Sequence, residues 1–261
     1  MKPFNLKNTT AEIKLLIAIS AISSLVLLMQ FFNKGIYTSV IQNFALFGDA
    51  QVFKFRVWQF VTYSFLHADL LHLLFNMFML YLFSQLFYTY FNEKQLLKAF
   101  FLGGIVSGIF YFLVSNIFGL QQYVVGASGA IMAIFFTVIG YNPHMRVQVI
   151  IFGNIAIYYI AFAFLAFDLL QLFSDNAGGH LVHIGGSIFG FIYGKWLKDF
   201  AIDFKSGKKK AKLRTVYRKS PVSRMATDDT QKQIDVILDK ISKSGYDSLT
   251  QEEKEFLFKQ K

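Results

Sequence analysis

Between Ile13 and Phe32 the chain carries one charged side chain, Lys14, among aliphatic, aromatic and small residues. As a helix rising about 1.5 Å per residue, a run of about 20 residues matches the hydrocarbon core of a bilayer. Comparable runs recur at 68–90, 95–118, 127–141, 147–172 and 181–200, giving six in all. Inside lipid every backbone polar group must find its partner within the protein, so a spanning run of this kind is a helix. The reading is therefore an all-α polytopic membrane protein, a bundle of six transmembrane helices. Composition agrees: 54% hydrophobic residues and 32 Phe in 261 positions leave too little polar side chain to coat a soluble surface.

Charge sets the orientation. Lys2, Lys7 and Lys14 precede or open the first run, and a basic stretch from Lys205 to Arg224 follows the last. Both ends then lie inside under the positive-inside rule, with a bacterial inner membrane as the expected location. The length of the first run, with no small-residue cleavage site after it, separates it from a cleavable signal peptide. The net charge of +10 comes mostly from the basic stretch, where retention at the inner face accounts for it, and no nucleic-acid partner is expected. Absence of cysteine excludes disulfides and thiolate metal sites. The division is residues 1–200 as a six-span membrane domain, 201–230 as a basic flexible linker, and 231–261 as a short helical C-terminal extension. In the extension, Ile234, Ile237, Leu238 and Ile241 recur at helical spacing, Gly245 is a stop, and Thr250 with Glu253 forms a capping box.

Polar side chains within apolar runs are expensive and point to function. With this topology His72 and Asn76, Ser128, and His183 all fall near the outer ends of spans two, four and six. His72 and Asn76 are four apart and share a helix face, whereas His67 lies off that face and reads as a hydrogen-bonding loop residue. Ser128 heads a span that ends at Tyr141 with Pro143 beyond. Fourteen residues make about 21 Å of helix against a core of about 30 Å, which sets Ser128 roughly 10 Å below the outer surface. Irregular backbone at that depth must line protein or a water-filled cavity. Gly126 and Gly129 permit a tight turn around Ser128, whose helix N-terminus offers free N–H donors to an oxyanion, with Asn76 and His72 as further donors. His183 can act as base if the heads of spans four and six adjoin.

Plainer readings compete. "GASG" alone is more often a close-packing motif than a nucleophile site, and Gly186, Gly190 and Gly194 read as packing. The histidine spacings match no familiar zinc signature, so no metal or cofactor is expected. The loop 33–67, with Phe53, Phe55, Trp58 and Phe60 among Lys54, Arg56 and Gln59, reads as partly seated in the bilayer interface, against a plain solvated loop.

Taken in order, "HADLLHLLFN", "GASG" and "HIGGSIFGFIYG" resemble the rhomboid intramembrane serine proteases over residues 13–200. The resemblance implies Ser128 as nucleophile, His183 as general base, and an oxyanion hole from His72, Asn76 and the Ser128 backbone N–H. Within residues 180–183 the family's glycine spacing selects His183 and leaves His180 as a loop residue at the entrance. The family's Trp-Arg pair appears as Trp58-Gln59 with Arg56 nearby, and Met132 stands where the family has an aromatic residue one turn after the serine. Asp168 invites a Ser-His-Asp triad. Because the resemblance implies a dyad, Asp168 reads instead as a structural acid satisfied by backbone or loop groups. The expectation is an endopeptidase acting on single-span transmembrane proteins near the outer leaflet, with the lipid bilayer and substrate helices as partners. A catalytically silent rhomboid-like chaperone or adaptor is the alternative, and a small transporter lacks the repeated discontinuous-helix pattern it would need.

Overall fold

The structure, a computed structural model, describes residues 9–149, 153–207 and 226–259. Two compact units divide at Lys208 and Lys209. The basic run from Lys208 to Arg224 lies outside the described residues, as do Lys2 and Lys7.

The first unit opens with α1 (Ala11–Phe32) and α2 (Lys34–Phe44), separated by Asn33, whose side chain caps α2 by accepting from Ile36 N. A short strand β1 (Leu46–Phe47) and two helical turns, α3 (Ala50–Phe53) and α4 (Gln59–Thr62), lead to α5 (Leu70–Phe87). Asp69 caps α5, and a capping box of Asn92 and Gln95 opens α6 (Glu93–Phe118), which Gly119 closes in the left-handed conformation. Strand β2 (Tyr123–Val124) pairs antiparallel with β1 and delivers the chain to α7 (Ser128–Tyr141). Among the described residues, three helices, α1, α5 and α6, are long and apolar enough to cross a membrane.

In α7 every residue from Gly129 to Gly140 is buried. A helix apolar on all sides belongs at the centre of a bundle, and α7 packs against α5, α6 and α9 (Ala177–Gly207). Small residues bring α7 and α9 together. A Cβ added at Gly186, Gly190 or Gly194 would strike the backbone carbonyl of Gly129, Ala133 or Thr137 respectively. Backbones this close gain dispersion contacts that larger side chains would forbid.

The fifth span differs from its expected bounds of 147–172. Strands β3 (Arg146–Val149) and β4 (Gly153–Ala156) pair antiparallel, Arg146 opposite Ala156, and only then does α8 (Ile157–Leu170) begin. Residues 146–156 are rich in β-branched side chains, which suit a pleated ribbon, and Gly153 takes φ +68 where the chain re-enters it. The last helix also starts earlier than 181 and continues through Gly207, so residues 201–207 of the expected linker are helical.

The described residues of the second unit form α10 (Ala226–Ser244) and α11 (Gln251–Lys259), so residues 226–230 of the expected linker are helical as well. Gly245, at φ +78, ends α10. The Thr250–Glu253 box is formed: Glu253 accepts from Thr250 N at 2.7 Å and donates its own N–H to Thr250 Oγ1 at 3.3 Å. Lys240 Nζ reaches both Glu253 oxygens at 2.9 and 2.8 Å, tying the helices into a hairpin over buried Ile237 and Leu249.

Candidate active site

Loop 33–67 is built as a clamp on the last turn of α2, whose terminal carbonyls have no partner inside the helix. Arg56 Nη1 donates to Gln42 O at 2.8 Å, Trp58 Nε1 to Asn43 O at 2.8 Å, and Thr62 Oγ1 to Phe44 O at 2.7 Å. Gln59 is fully buried, and its amide reaches Gln42 O and Asn43 O at 3.2 and 3.3 Å. Gln59 and Arg56 thus share the Gln42 carbonyl. Phe55, 90% exposed, and Trp58 turn outward.

His67 holds the turn ahead of Ser128. Its Nδ1 lies 2.8 Å from Ser23 Oγ, whose one proton already goes to Phe65 O at 2.8 Å. Nδ1 must therefore be the donor, which leaves Nε2 to accept the Ala127 N–H at 3.5 Å. Burial, reinforced by the neighbouring His72 and opposed by Asp69, holds His67 down to about 3, so the ring stays neutral as this bonding requires. Gly126 N donates to Tyr63 O at 2.9 Å, and Gly126 itself sits at φ +129. A Cβ there would lie 2.9 Å from His72 Cε1, so the residue serves both the turn and the approach of the histidine. Gly129 differs: its face is packed by Val182 and Ser107.

Ser128 is the first residue of α7, with unsatisfied N–H groups and the positive end of the helix dipole beside it. Two adjoining cavities share His72, Ser128 and His183 as walls. One, of about 120 Å³, is otherwise apolar except for Asn76, with Met132 and Phe164 among its walls. The other, of about 480 Å³, leads away past Asp69, Tyr123, Asn176 and Gly179. Three separate elements, α5, α7 and α9, thus bring His72 with Asn76, Ser128, and His183 to one hollow. No hydrogen bond joins Ser128 Oγ to His183 among the described residues. Asn76 Nδ2 spends one proton on His72 O at 2.9 Å and keeps a second for a ligand.

The surroundings of His183 depart from the sequence reading. Asp168, on the last turn of α8 and 2% exposed, accepts from His180 Nδ1 and His183 Nδ1, both at 2.8 Å from Oδ1. Side chains, and not backbone or loop groups, are its partners, because α8 packs its final turn against the start of α9. His180 is helical and buried, not an entrance loop residue. Sequence reasoning missed the contact although its signal was present: 180 and 183 lie three apart on one helix face. The ligand atoms of Asp168, His180 and His183 lie within 4.8 Å of one another, so this trio is also a group able to hold a metal ion. Sequence reasoning also missed Gln122, which strapped α9 to the Ser128 approach through Asp175 O at 2.9 Å and Gly178 N at 3.3 Å.

Comparison with known proteins agrees with this architecture. The rhomboid domain family matches residues 54–199, more than half of the chain, and a family of unknown function (DUF6576) matches 225–259. The zebrafish (Danio rerio) protein named presenilin-associated rhomboid-like protein A, mitochondrial, is 26% identical over 147 residues, covering 54% of this chain and 37% of the relative. The mouse and human proteins named presenilin-associated rhomboid-like protein, mitochondrial, are each 27% identical over 140 residues, covering 50% of this chain and 35% of theirs. The chain thus spans little more than a third of the length of these curated relatives. Their names place them in mitochondria and lend no support to a bacterial inner membrane. With helices fit to span a bilayer and a rhomboid domain over residues 54–199, the chain is an integral membrane protein belonging to the rhomboid family.

Proposed function

We propose that the protein is an intramembrane serine endopeptidase with Ser128 as nucleophile and His183 as general base. The observation that carries this reading is the common hollow: Ser128, His183, His72 and Asn76 arrive from three helices and line a single cavity. Ser128 Oγ attacks a substrate carbonyl carbon while its proton passes to His183 Nε2. The carbonyl electron pair moves onto oxygen, where the Ser128 N–H, the free Asn76 amide proton and the His72 ring donate hydrogen bonds. Collapse of that adduct breaks the C–N bond, and His183 returns the proton to the leaving amine. Water, activated by the same imidazole, then releases the acyl group and regenerates Ser128.

The substrates are single-span membrane proteins whose helices unwind near the outer leaflet, since an intact helix keeps its carbonyls bonded. Both termini of the enzyme face inward, as the basic residues at the two ends require. A fluorophosphonate probe tests the assignment, because it labels only an activated serine. Labelling of the wild type but not of Ser128→Ala is expected. A folded wild type that the probe leaves untouched would return the chain to the chaperone or adaptor reading.

A further inference from the structure

Asp168 is an acid enclosed by apolar helix, and removing a carboxylate from water is costly unless strong bonds replace hydration. A carboxylate held only for structure gains most by satisfying both oxygens. Here Oδ1 receives both histidine N–H groups, while buried Oδ2 has no partner among the described residues. The geometry is therefore arranged around the two rings. An ionised carboxylate has no proton to give, so each Nδ1 is the donor and each neutral ring carries its lone pair on Nε2. For His183 that is the tautomer a base for Ser128 needs.

We propose that Asp168 is a positioning residue: it locks His183 in the Nδ1–H tautomer and offsets the charge that ring gains, while His180 holds the carboxylate oxygen in place by donating to it. The role rests on the protease reading, in which His183 takes the serine proton. His180 is buried with Phe167 against its ring at 5.8 Å, so it is placed to brace the carboxylate without reaching substrate. The titratable neighbours that face His183 are Asp168 from α8, His180 from α9 and His72 from α5, with Asp69 and His67 behind His72. Asp168 is the acid in direct contact with the ring.

The test uses the full chain in nanodiscs with ¹⁵N-labelled histidine, reading each ring's tautomer by NMR beside kcat and KM. The His183 signals are assigned by their loss in His183→Gln. Wild type should show His183 protonated on Nδ1 at neutral pH. In Asp168→Ala that preference should disappear, and kcat should fall on the order of 10²–10⁴-fold with KM nearly unchanged, the range for losing an oriented base. A residue with a purely structural role would neither change the His183 tautomer nor lower kcat while sparing KM. Asp168→Asn keeps the volume if the alanine variant fails to fold; its amide can turn an N–H toward His183 and drive the ring to the Nε2–H tautomer. His180→Gln should cost less, roughly fivefold, about the worth of one hydrogen bond. An unchanged His183 tautomer in folded Asp168→Ala and Asp168→Asn, or unchanged turnover in both, overturns the assignment. Because the tautomer is read without activity, a wild type unreactive to fluorophosphonate sinks the protease reading separately.

Discussion

The two ends of the α7–α9 pair are made of similar residues and do opposite things. Toward the Tyr141 end, Gly190 and Gly194 press against the carbonyls of Ala133 and Thr137, and no space remains. At the Ser128 end, Gly126 turns the chain at φ +129 beside the hollow walled by Ser128 and His183. Glycine removes a Cβ in both places. In one the vacancy is filled by a neighbouring backbone, and in the other by the His72 ring. Small residues in a membrane helix therefore indicate close approach, and only the neighbouring polar groups separate a seam from a site.

The largest effects should come from the hollow. Ser128→Ala and His183→Ala are each expected to reduce cleavage of a model transmembrane substrate to background, with the double variant no worse, because the two act as a unit. Activity kept in His183→Ala but lost in His180→Ala would move the base to the other ring. Gly126→Ala comes next: a Cβ meeting His72 and a non-glycine residue at φ +129 should cost about 1–3 kcal/mol of stability. Displacing the oxyanion donors by about 1 Å should lower kcat roughly 10²-fold. Asn76→Ala should lower kcat by about the same 10²-fold with KM nearly unchanged, as for other single oxyanion donors; a pure KM effect would take Asn76 out of the oxyanion hole.

The seam should behave differently. Gly190→Ala drives a methyl into the Ala133 carbonyl and should cost about 1–3 kcal/mol in thermal or denaturant unfolding. The folded fraction should keep its kcat, and a loss of kcat without loss of stability would erase the distinction between the two ends. Gln122→Ala has the smallest expected effect. It removes the strap to Asp175 and Gly178, worth about 1 kcal/mol per bond, and should speed labelling of Ser128→Cys by a water-soluble thiol reagent several-fold. The chain has no other cysteine to confuse that measurement.

The first three spans were legible because length and apolar content suffice to identify a membrane helix, and the bounds of the shorter α7 follow from Ser128 and Pro143. The fifth was not. Residues 146–156 are as apolar as a helix, and hydropathy does not separate a buried helix from a ribbon; β-branched side chains and Gly153 were the available signals. Starting that span ten residues early also blurred which way Asp168 pointed. Its bond to His183 depends on the rotation of α8 against α9, a tertiary fact with no period in the sequence. Ser23, which orients His67 from α1, left no signal either.

The α7–α9 seam also bears on how mutational data for this protein would read. Gly129 on one helix and Gly186, Gly190 and Gly194 on the other admit almost no added atom, so a scan scored by activity in cells would mark them as intolerant as Ser128. A ranking by intolerance alone would then merge the stripe with the cavity and overstate the number of residues engaged in chemistry. Scoring protein abundance in the membrane beside activity separates them: the stripe loses both together, whereas Ser128→Ala leaves abundance intact.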